Sequence, residues 1–282
     1  MVFLFQAEIK SMMYATGDLK HPNDLASQYI ELIIKNQIQN LLKAANNIKT
    51  LRKAKTISVE DICFVLRTNK FKVRRVLDSI TFKDLRKKVN SEDYVVEVKS
   101  TDFQFSWMFD RKKYPLSVNP FFINRESAYN QELQDIRSFM NDLDDTNKNE
   151  SLNSHFEEES DIIKFERLKR INLITEMMTK EEYLEFSECR QASFIFRKIK
   201  KFKQFLTFNE KMKDYVYDVL GFICYEMVVD IVEEGLKILK KTNQADFYSN
   251  GLFNVQQRKG LGLFEIKEAC RRLISKNGAL YL

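Results

Sequence analysis

The hydrophobic pattern of the first third of the chain predicts a short helix, a long helix and a second short helix. Phe5, Ile9, Met12 and Met13 form one apolar face, which stops at Gly17. A long helix follows, and at 1.5 Å per residue it is roughly 40 Å in length. One short flanking helix cannot cover a rod of this length, so it needs a further partner. This helix spans about 23–49, with its apolar residues three or four positions apart, at Ile30, Ile34, Ile38, Leu41, Ala45 and Ile48.

The second short helix is predicted at 59–67, after an extended link at 56–57. Ser58 is a favoured N-cap, and Glu60 and Asp61 in the first turn suit the positive end of the helix dipole. A basic helical extension is expected to follow this helix.

The order short, long, short occurs again in the last third of the chain. We expect helices at about 181–203, 213–241 and 264–274, with a polar loop at 242–254. With only 7 Gly and 3 Pro in 282 residues, the chain is expected to be mostly helix. The predicted class is therefore all-α. The apolar residues of the second long helix again have helical spacing, at Val216, Leu220, Ile223, Met227 and Ile231.

Residues 90–160 differ from both flanking regions. Their net charge is −8, between +9 for residues 1–89 and +5 for residues 161–282. We therefore predict two domains joined by an acidic linker. Four aromatic residues of this linker alternate with other residues, which predicts an extended segment that either covers an apolar groove or binds a partner. They are Phe103, Phe105, Trp107 and Phe109.

The composition offers little for catalysis, metals or membranes. The chain has two His, and its four Cys form no C-x-x-C pair. No P-loop, zinc-protease or nucleophile-elbow motif is present, and Gly260-Leu261-Gly262 is interpreted as a turn into a helix. We expect no enzyme activity, cofactor or metal, free thiols typical of cytosol or nucleus, and no membrane span.

An acidic stripe interrupts the apolar surface of the second long helix. At 100° per residue, Glu226, Asp230 and Glu233 fall within about 60° of one another, and Glu234 lies beside them. Such a stripe repels DNA phosphates and suits a basic protein surface. The alternative is that these acids form the solvated edge of a core helix.

The most specific pattern of the chain lies between residues 178 and 198. It comprises 178–183 (Met-Thr-Lys-Glu-Glu-Tyr), 189–194 (Cys-Arg-Gln-Ala-Ser-Phe) and 196–198 (Phe-Arg-Lys). This pattern resembles the hallmark of the suppressor-of-Ty protein three family, whose members are histone-fold subunits of the SAGA transcription coactivator. Further matches are Glu8-Ile9 with Met12-Met13, Val59-Glu60-Asp61, Lys83 to Lys87, and Leu220-Gly221-Phe222 with Glu226.

The resemblance implies two histone folds, within 1–89 and 161–282, that pair inside one chain like the heterodimer of two TFIID subunits. It also implies a nuclear adaptor that binds the TATA-box-binding protein, helps deliver it to promoters for RNA polymerase II, and assembles with other SAGA subunits. Glu226 is the contact that the resemblance supports, and Asp230 and Glu233 extend it by helix geometry. The residues expected to pair the folds are Ile30, Ile34, Ile38, Leu41, Leu220, Ile223, Met227 and Ile231.

The basic segments of the chain leave an alternative function open. Lysines and arginines cluster at 49–55, 70–75 and 197–203. They suit a histone-like DNA-binding protein, although the net charge of +6 is modest and any DNA contact is expected to be weak or indirect. They are otherwise solvated helix faces, or they meet the acidic linker or neighbouring subunits. A further alternative function does not depend on the basic segments: each of the two folds pairs with histone-fold subunits of other chains.

Overall fold

The computed structural model describes residues 3–69, 71–80, 165–250 and 259–277, and the side chains of all of these except 243–250 and 276–277. The described residues are helical apart from their loops and one isolated bridge, which confirms the predicted all-α class. They form two compact units, one built from residues up to 69 and from 178 onward, the other from 71–80 and 165–177. The predicted aromatic segment and the acidic linker lie outside the described residues.

Seven α-helices are described in the first unit and two in the second. In the second unit, residues 71–80 (α4) and 165–176 (α5) are helical, and Val73, Val76 and Ile80 of α4 are buried. A 3₁₀ turn at Leu66–Thr68 continues α3 of the first unit. The helices of the first unit are α1 (Gln6–Thr16), α2 (Asp24–Leu51), α3 (Val59–Val65), α6 (Lys180–Arg190), α7 (Ile199–Leu206), α8 (Asp214–Asn250) and α9 (Leu263–Asn277).

The ends of the first three helices follow from local chemistry. Gly17 ends α1 at a φ of 121°, a left-handed conformation that favours glycine. The Asn23 side chain accepts a hydrogen bond from the amide of Ala26 at 3.2 Å and so caps α2. The amide of Ser58 donates to the Asp61 carboxylate at 2.8 Å, as part of a capping box that starts α3.

The core of the first unit lies around the two long helices. α2 packs against α1 and α3 from its own half of the sequence, and against α7, α8 and α9 from the other half. The eight residues that the sequence analysis assigned to pairing are all buried, with at most 1% of their surface exposed. The rod predicted to need a further partner is thus covered by helices from the C-terminal half.

The single helix predicted at 181–203 is wrong, because residues 191–198 separate α6 from α7. The hydroxyl of Ser193 accepts hydrogen bonds from the amides of Ile195 and Phe196 at 3.2 and 3.3 Å. Such local bonds compete with the helix, and Arg197 completes the break at a φ of 57°. The break turns Phe194 into the core, where it is 1% exposed.

The polar loop predicted to begin at residue 242 is also wrong over its first part, because α8 continues to Asn250. Polar residues alone do not stop a helix. The stretch from 242 to 250 contains no Gly or Pro, and the next glycine is Gly251.

Candidate functional site

Two loops from opposite halves of the chain meet through their backbones. The amide of Ile57 donates to the carbonyl of Lys211 at 3.1 Å, and the amide of Lys213 donates to the carbonyl of Ile57 at 3.4 Å. These bonds form a parallel bridge between Ile57 and Met212. We call the contact between residues 52–57 and 207–213 the bridged junction. The extended link predicted at Ile57 is thus confirmed.

A second pair of loops meets through a side chain. The amide of Leu261 donates to the Asp18 carboxylate at 2.9 Å, and Asp18 is only 5% exposed. A Cβ on Gly260 would lie 2.8 Å from the Cδ1 of Leu19, so a larger residue at this position requires the Leu19 side chain to move. We call the contact between residues 17–20 and 259–262 the glycine junction. Gly262 donates to Glu265 at 3.0 Å at the start of α9, which confirms that this segment shapes a turn into a helix.

An aromatic cluster joins the start of the chain to the break between α6 and α7. The ring of Phe5 lies 5.0 Å from that of Phe194 and 5.3 Å from that of Phe205, centroid to centroid. The ring of Phe202 lies 6.2 Å from Phe5 and from Phe194. All four rings are at most 1% exposed. We call residues 178–198, which carry the most specific part of the family resemblance, the signature segment. It therefore contributes Phe194 to the packing between the halves.

A charged contact borders this cluster. Glu8 is 7% exposed, and its Oε1 lies 2.8 Å from the ammonium of Lys198 and 3.0 Å from that of Lys201. Burial alone would raise the pKa of Glu8, but the hydrogen bonds from Lys198 and Lys201 outweigh it and leave this pKa below the ordinary value of 4.5. Glu8 thus stays ionised where the two halves meet.

The glycine of the Leu-Gly-Phe motif receives a side chain of the signature segment. A Cβ on Gly221 would lie 2.2 Å from the Cδ1 of Ile195. No larger residue fits at this point of α8 unless Ile195 moves. The Leu-Gly-Phe motif therefore packs against the residue that lies between the motifs at 189–194 and 196–198.

The candidate partner-binding residues lie on α8. Glu226 and Glu233 are seven positions apart, or about 10 Å along the helix, and Asp230 lies between them on the same side. Glu226 is buried at 3% exposure, whereas Asp230 and Glu233 are half-buried. Glu234 is 8% exposed and lies 3.4 Å from the ammonium of Lys237. We call Glu226, Asp230 and Glu233 the acidic face.

This burial changes the picture of the acidic face. From the sequence, the three acids are equivalent candidates for a contact. In the structure, Asp230 and Glu233 are the two whose side chains a partner can reach directly. A partner reaches the carboxylate of Glu226 only when neighbouring residues move. We therefore treat the half-buried pair as the outer part of the acidic face, and Glu226 as its buried part.

The described residues hold neither a cluster of metal ligands nor a membrane-spanning helix. They contain no group of three or more His, Cys, Asp or Glu that could hold a metal ion. None of the described helices is long and apolar enough to cross a membrane. The thiols of Cys63, Cys224 and Cys270 are buried, and burial raises the pKa of Cys63 and of Cys270 to about 12.

Two contacts between the halves were missed by sequence reasoning. Asp18 was not singled out, and Glu8 was noted only as part of the family resemblance. The signals were an acid beside the helix-ending Gly17 and an acid on the apolar face of α1. Both acids find partners more than 190 residues away in sequence, at Leu261 and Lys201, which helical periodicity does not reveal.

Comparisons with known proteins agree with this architecture. Residues 3–94 match the family model for the 18 kDa subunit of transcription initiation factor IID. The chain is 31% identical over 254 residues to the SAGA complex subunit SPT3 of Saccharomyces cerevisiae, covering 84% of this chain and 74% of that protein. It is 29% identical over 273 residues to the SAGA complex subunit Spt3 of Schizosaccharomyces pombe, covering 93% and 82%. It is 31% identical over 302 residues to Protein SPT3 of Kluyveromyces lactis, covering 91% and 84%.

Proposed function

We propose the function from one premise: the chain belongs to the suppressor-of-Ty protein three (Spt3) family. We infer that it is a nuclear, non-enzymatic subunit of the SAGA transcription coactivator. In that role it binds the TATA-box-binding protein, helps deliver it to promoters for RNA polymerase II, and assembles with other SAGA subunits. The observation that carries this function is the acidic face on α8, in a chain of this family.

The packing of the first unit supports an internal pair of histone folds. In this proposal, residues 1–89 and 161–282 each hold a helix–long helix–helix fold, and residues 90–160 connect them. α2 and α8 are the two long helices, and they pack on each other. The bridged junction and the glycine junction then join each fold's loops to those of the other.

The internal pair also argues against the alternative in which each half needs a foreign partner. Ile30, Ile34 and Ile38 of α2 are fully buried without any second chain, as are Leu220 and Ile223 of α8. A foreign histone-fold subunit would therefore have to displace a complete interface. We infer that other SAGA subunits bind outer surfaces of the pair.

The charge of the acidic face suits a basic protein partner. Carboxylates on a rigid helix steer a cationic surface toward them and fix its register. Asp230 and Glu233 are exposed enough to make the first contact, and Glu226 then adds to the contact once it is uncovered. Because of this order, substitutions of Asp230 and Glu233 are expected to change a different rate constant of binding from substitution of Glu226.

The test is binding of the purified full chain to the TATA-box-binding protein, measured by biolayer interferometry. The double variant Asp230→Lys with Glu233→Lys is expected to weaken binding by at least about tenfold, or about 1.4 kcal/mol, with most of the change in the association rate. Glu226→Gln is expected to raise the dissociation rate instead, because a buried contact is lost.

Glu181→Lys is the matched control, since Glu181 is an exposed acid on α6. It is expected to leave the affinity unchanged. Thermal melts followed by circular dichroism establish that each variant is folded. If the double variant and Glu226→Gln are both folded and bind as tightly as the unaltered chain, the acidic face is not the contact.

A further inference from the structure

Two helices from opposite halves of the chain start side by side at the glycine junction. α2 begins shortly after one of its loops, at Asp24, and α9 begins directly after the other, at Leu263. The two helices pack on each other, and the ammonium of Lys267 on α9 lies 5.6 Å from the ring centroid of Tyr29 on α2. The first turns of α2 and α9 therefore form one surface.

Large apolar side chains are exposed on this surface. Leu25, the second residue of α2, is 59% exposed, and Phe264, the second residue of α9, is 70% exposed. Leu25 lies one turn before Tyr29, and Phe264 lies one turn before Lys267, so each shares a helix face with a residue of the contact between the helices. Apolar side chains exposed together mark an interaction site more often than single ones do.

The same surface continues along α9. Four exposed residues of this helix recur at intervals of three, four and three positions, which places them within about 80° of one another on one side. Phe264 and Ile274 lie at the two ends of this row, about 15 Å apart, with two cations between them. We call the row, together with the adjoining residue of α2, the α9 face: Leu25, Phe264, Lys267, Arg271 and Ile274.

The exposed charges around the α9 face are positive. Of the two acids within 259–275, Glu265 is 4% exposed, and Glu268 is half-buried and lies within 2.8 Å of two arginines. Asp24, beside Leu25, forms a salt bridge with Lys10. The exposed charged residues of 259–275 are Lys259, Lys267 and Arg271. An acidic partner is therefore attracted to the α9 face and a basic one is repelled.

The combination of apolar ends and central cations indicates what the partner is. Aromatic and arginine side chains are enriched in protein interfaces, and they contribute most when a partner covers them completely. A phosphate backbone would satisfy the cations but leave Phe264 and Ile274 in water. A helix of about three turns covers both ends of the row, because its own apolar residues recur over the same 15 Å.

We propose that the α9 face binds an acidic amphipathic helix of another protein. The apolar side of that helix packs on Leu25, Phe264 and Ile274, and its carboxylates pair with Lys267 and Arg271. This partner differs from that of the acidic face on α8, which suits a basic surface. The inference rests on the proposed function only for where the partner is sought, among the proteins of the same assembly.

The experiment places a photoreactive side chain on the α9 face of the full chain. Phe264→benzoylphenylalanine is produced in the cells that make the chain, purified with its accompanying proteins and irradiated, and the cross-linked peptides are sequenced by mass spectrometry. We expect a segment of another protein that has more Asp and Glu than Lys and Arg, with apolar residues three or four positions apart.

Leu51→benzoylphenylalanine is the matched control for this cross-link. Leu51 is 79% exposed but lies about 39 Å from Leu25 along α2, so it is expected not to cross-link to the same segment. A cross-link from position 264 to a basic segment, to a nucleic acid or to lipid overturns the proposal. The absence of any cross-link from this position, or the same cross-link from both positions, also overturns it.

A double variant measures how much the α9 face contributes to binding. Phe264→Ser with Lys267→Glu is expected to lower copurification of the cross-linked protein by at least about tenfold. Both side chains are exposed, so the variant is expected to fold. Leu51→Ser with Lys43→Glu makes the same changes at exposed positions in the second half of α2 and is expected to leave copurification unchanged. Unchanged copurification of the double variant, or an equal loss in the control, contradicts the proposal.

The affinity for the TATA-box-binding protein is measured on the same preparations. The double variant is expected to keep this affinity, since none of the acidic face is altered. A parallel loss would show that the α9 face is not a separate site. If the unaltered chain itself does not bind the TATA-box-binding protein, the proposed function fails, whereas the cross-link from position 264 still decides the present proposal.

Discussion

The bridged junction and the glycine junction connect the same two halves of the chain by different chemistry. At the bridged junction, the hydrogen bonds run between backbone groups of Ile57, Lys211 and Lys213. At the glycine junction, one bond runs from the backbone of Leu261 to the side chain of Asp18. Backbone bonds survive most substitutions, whereas a side-chain bond is lost with a single one. The hydrogen bonds of the bridged junction are therefore tolerant of side-chain changes, whereas the hydrogen bond of the glycine junction is not.

The largest loss of stability is expected when a buried apolar side chain of the bridged junction is truncated. Ile57 is fully buried, and Ile57→Ala leaves a cavity that is expected to lower the free energy of unfolding by about 2 to 4 kcal/mol. Urea unfolding followed by circular dichroism measures this loss. Lys211→Ala is the matched control, because its bridge bond uses only the backbone and its side chain is exposed. A comparable loss for Lys211→Ala would contradict the tolerance assigned to this junction.

A smaller loss of stability is expected when the side-chain hydrogen bond of the glycine junction is removed. Asp18→Ala leaves the amide of Leu261 buried without its acceptor, which is expected to cost about 1 to 3 kcal/mol. Asp18→Asn keeps a carbonyl oxygen at the same place and is expected to recover part of that loss. The same urea titration compares the two variants. If Ala and Asn lose the same amount, or neither loses any, the single bond does not hold this junction.

The smallest effect concerns Glu8, which links the halves by charge beside the aromatic cluster. Because its folded pKa lies below 4.5, ionised Glu8 contributes stability above about pH 4.5, and that contribution is lost as the pH falls through the folded pKa. Glu8→Gln removes this pH-dependent part. Melting temperatures between about pH 3 and 7 are expected to vary less with pH for Glu8→Gln than for the unaltered chain. Equal pH profiles would mean that Lys198 and Lys201 do not hold the carboxylate ionised.

The helices were predictable because their signals are local. Asn23 and Ser58 mark helix starts through their capping chemistry, and Gly17 marks an end through its left-handed backbone. The apolar period of α2 and α8 identified their buried residues for the same reason. The break between α6 and α7 was missed although Ser193 gives a local signal for it, because the contact that accompanies the break, between Phe194 and Phe5, joins residues far apart in the sequence.

The candidate site was predictable only in part. Spacing on a helix placed Glu226, Asp230 and Glu233 on one side of α8, because the angle per residue is fixed. It could not distinguish buried Glu226 from its half-buried neighbours, since burial depends on what packs over the helix. The basic segments 49–55 and 197–213 were not recognised as neighbours, because the contacts that join them, such as the bridge between Ile57 and Met212 and the salt bridge from Lys49 to Glu210, form only in the folded chain.

The glycine junction has a consequence for how the chain is made. Asp18 and Leu261 are 243 residues apart, and translation adds about 5 to 20 residues per second. Roughly 12 to 50 s therefore separate the synthesis of the two sides of this contact. During that interval α2 has left the ribosome while α8 and α9 are still being made, so its buried isoleucines have no cover from the second half. The packing of α2 against α7, α8 and α9 therefore cannot form until the second half of the chain has been made.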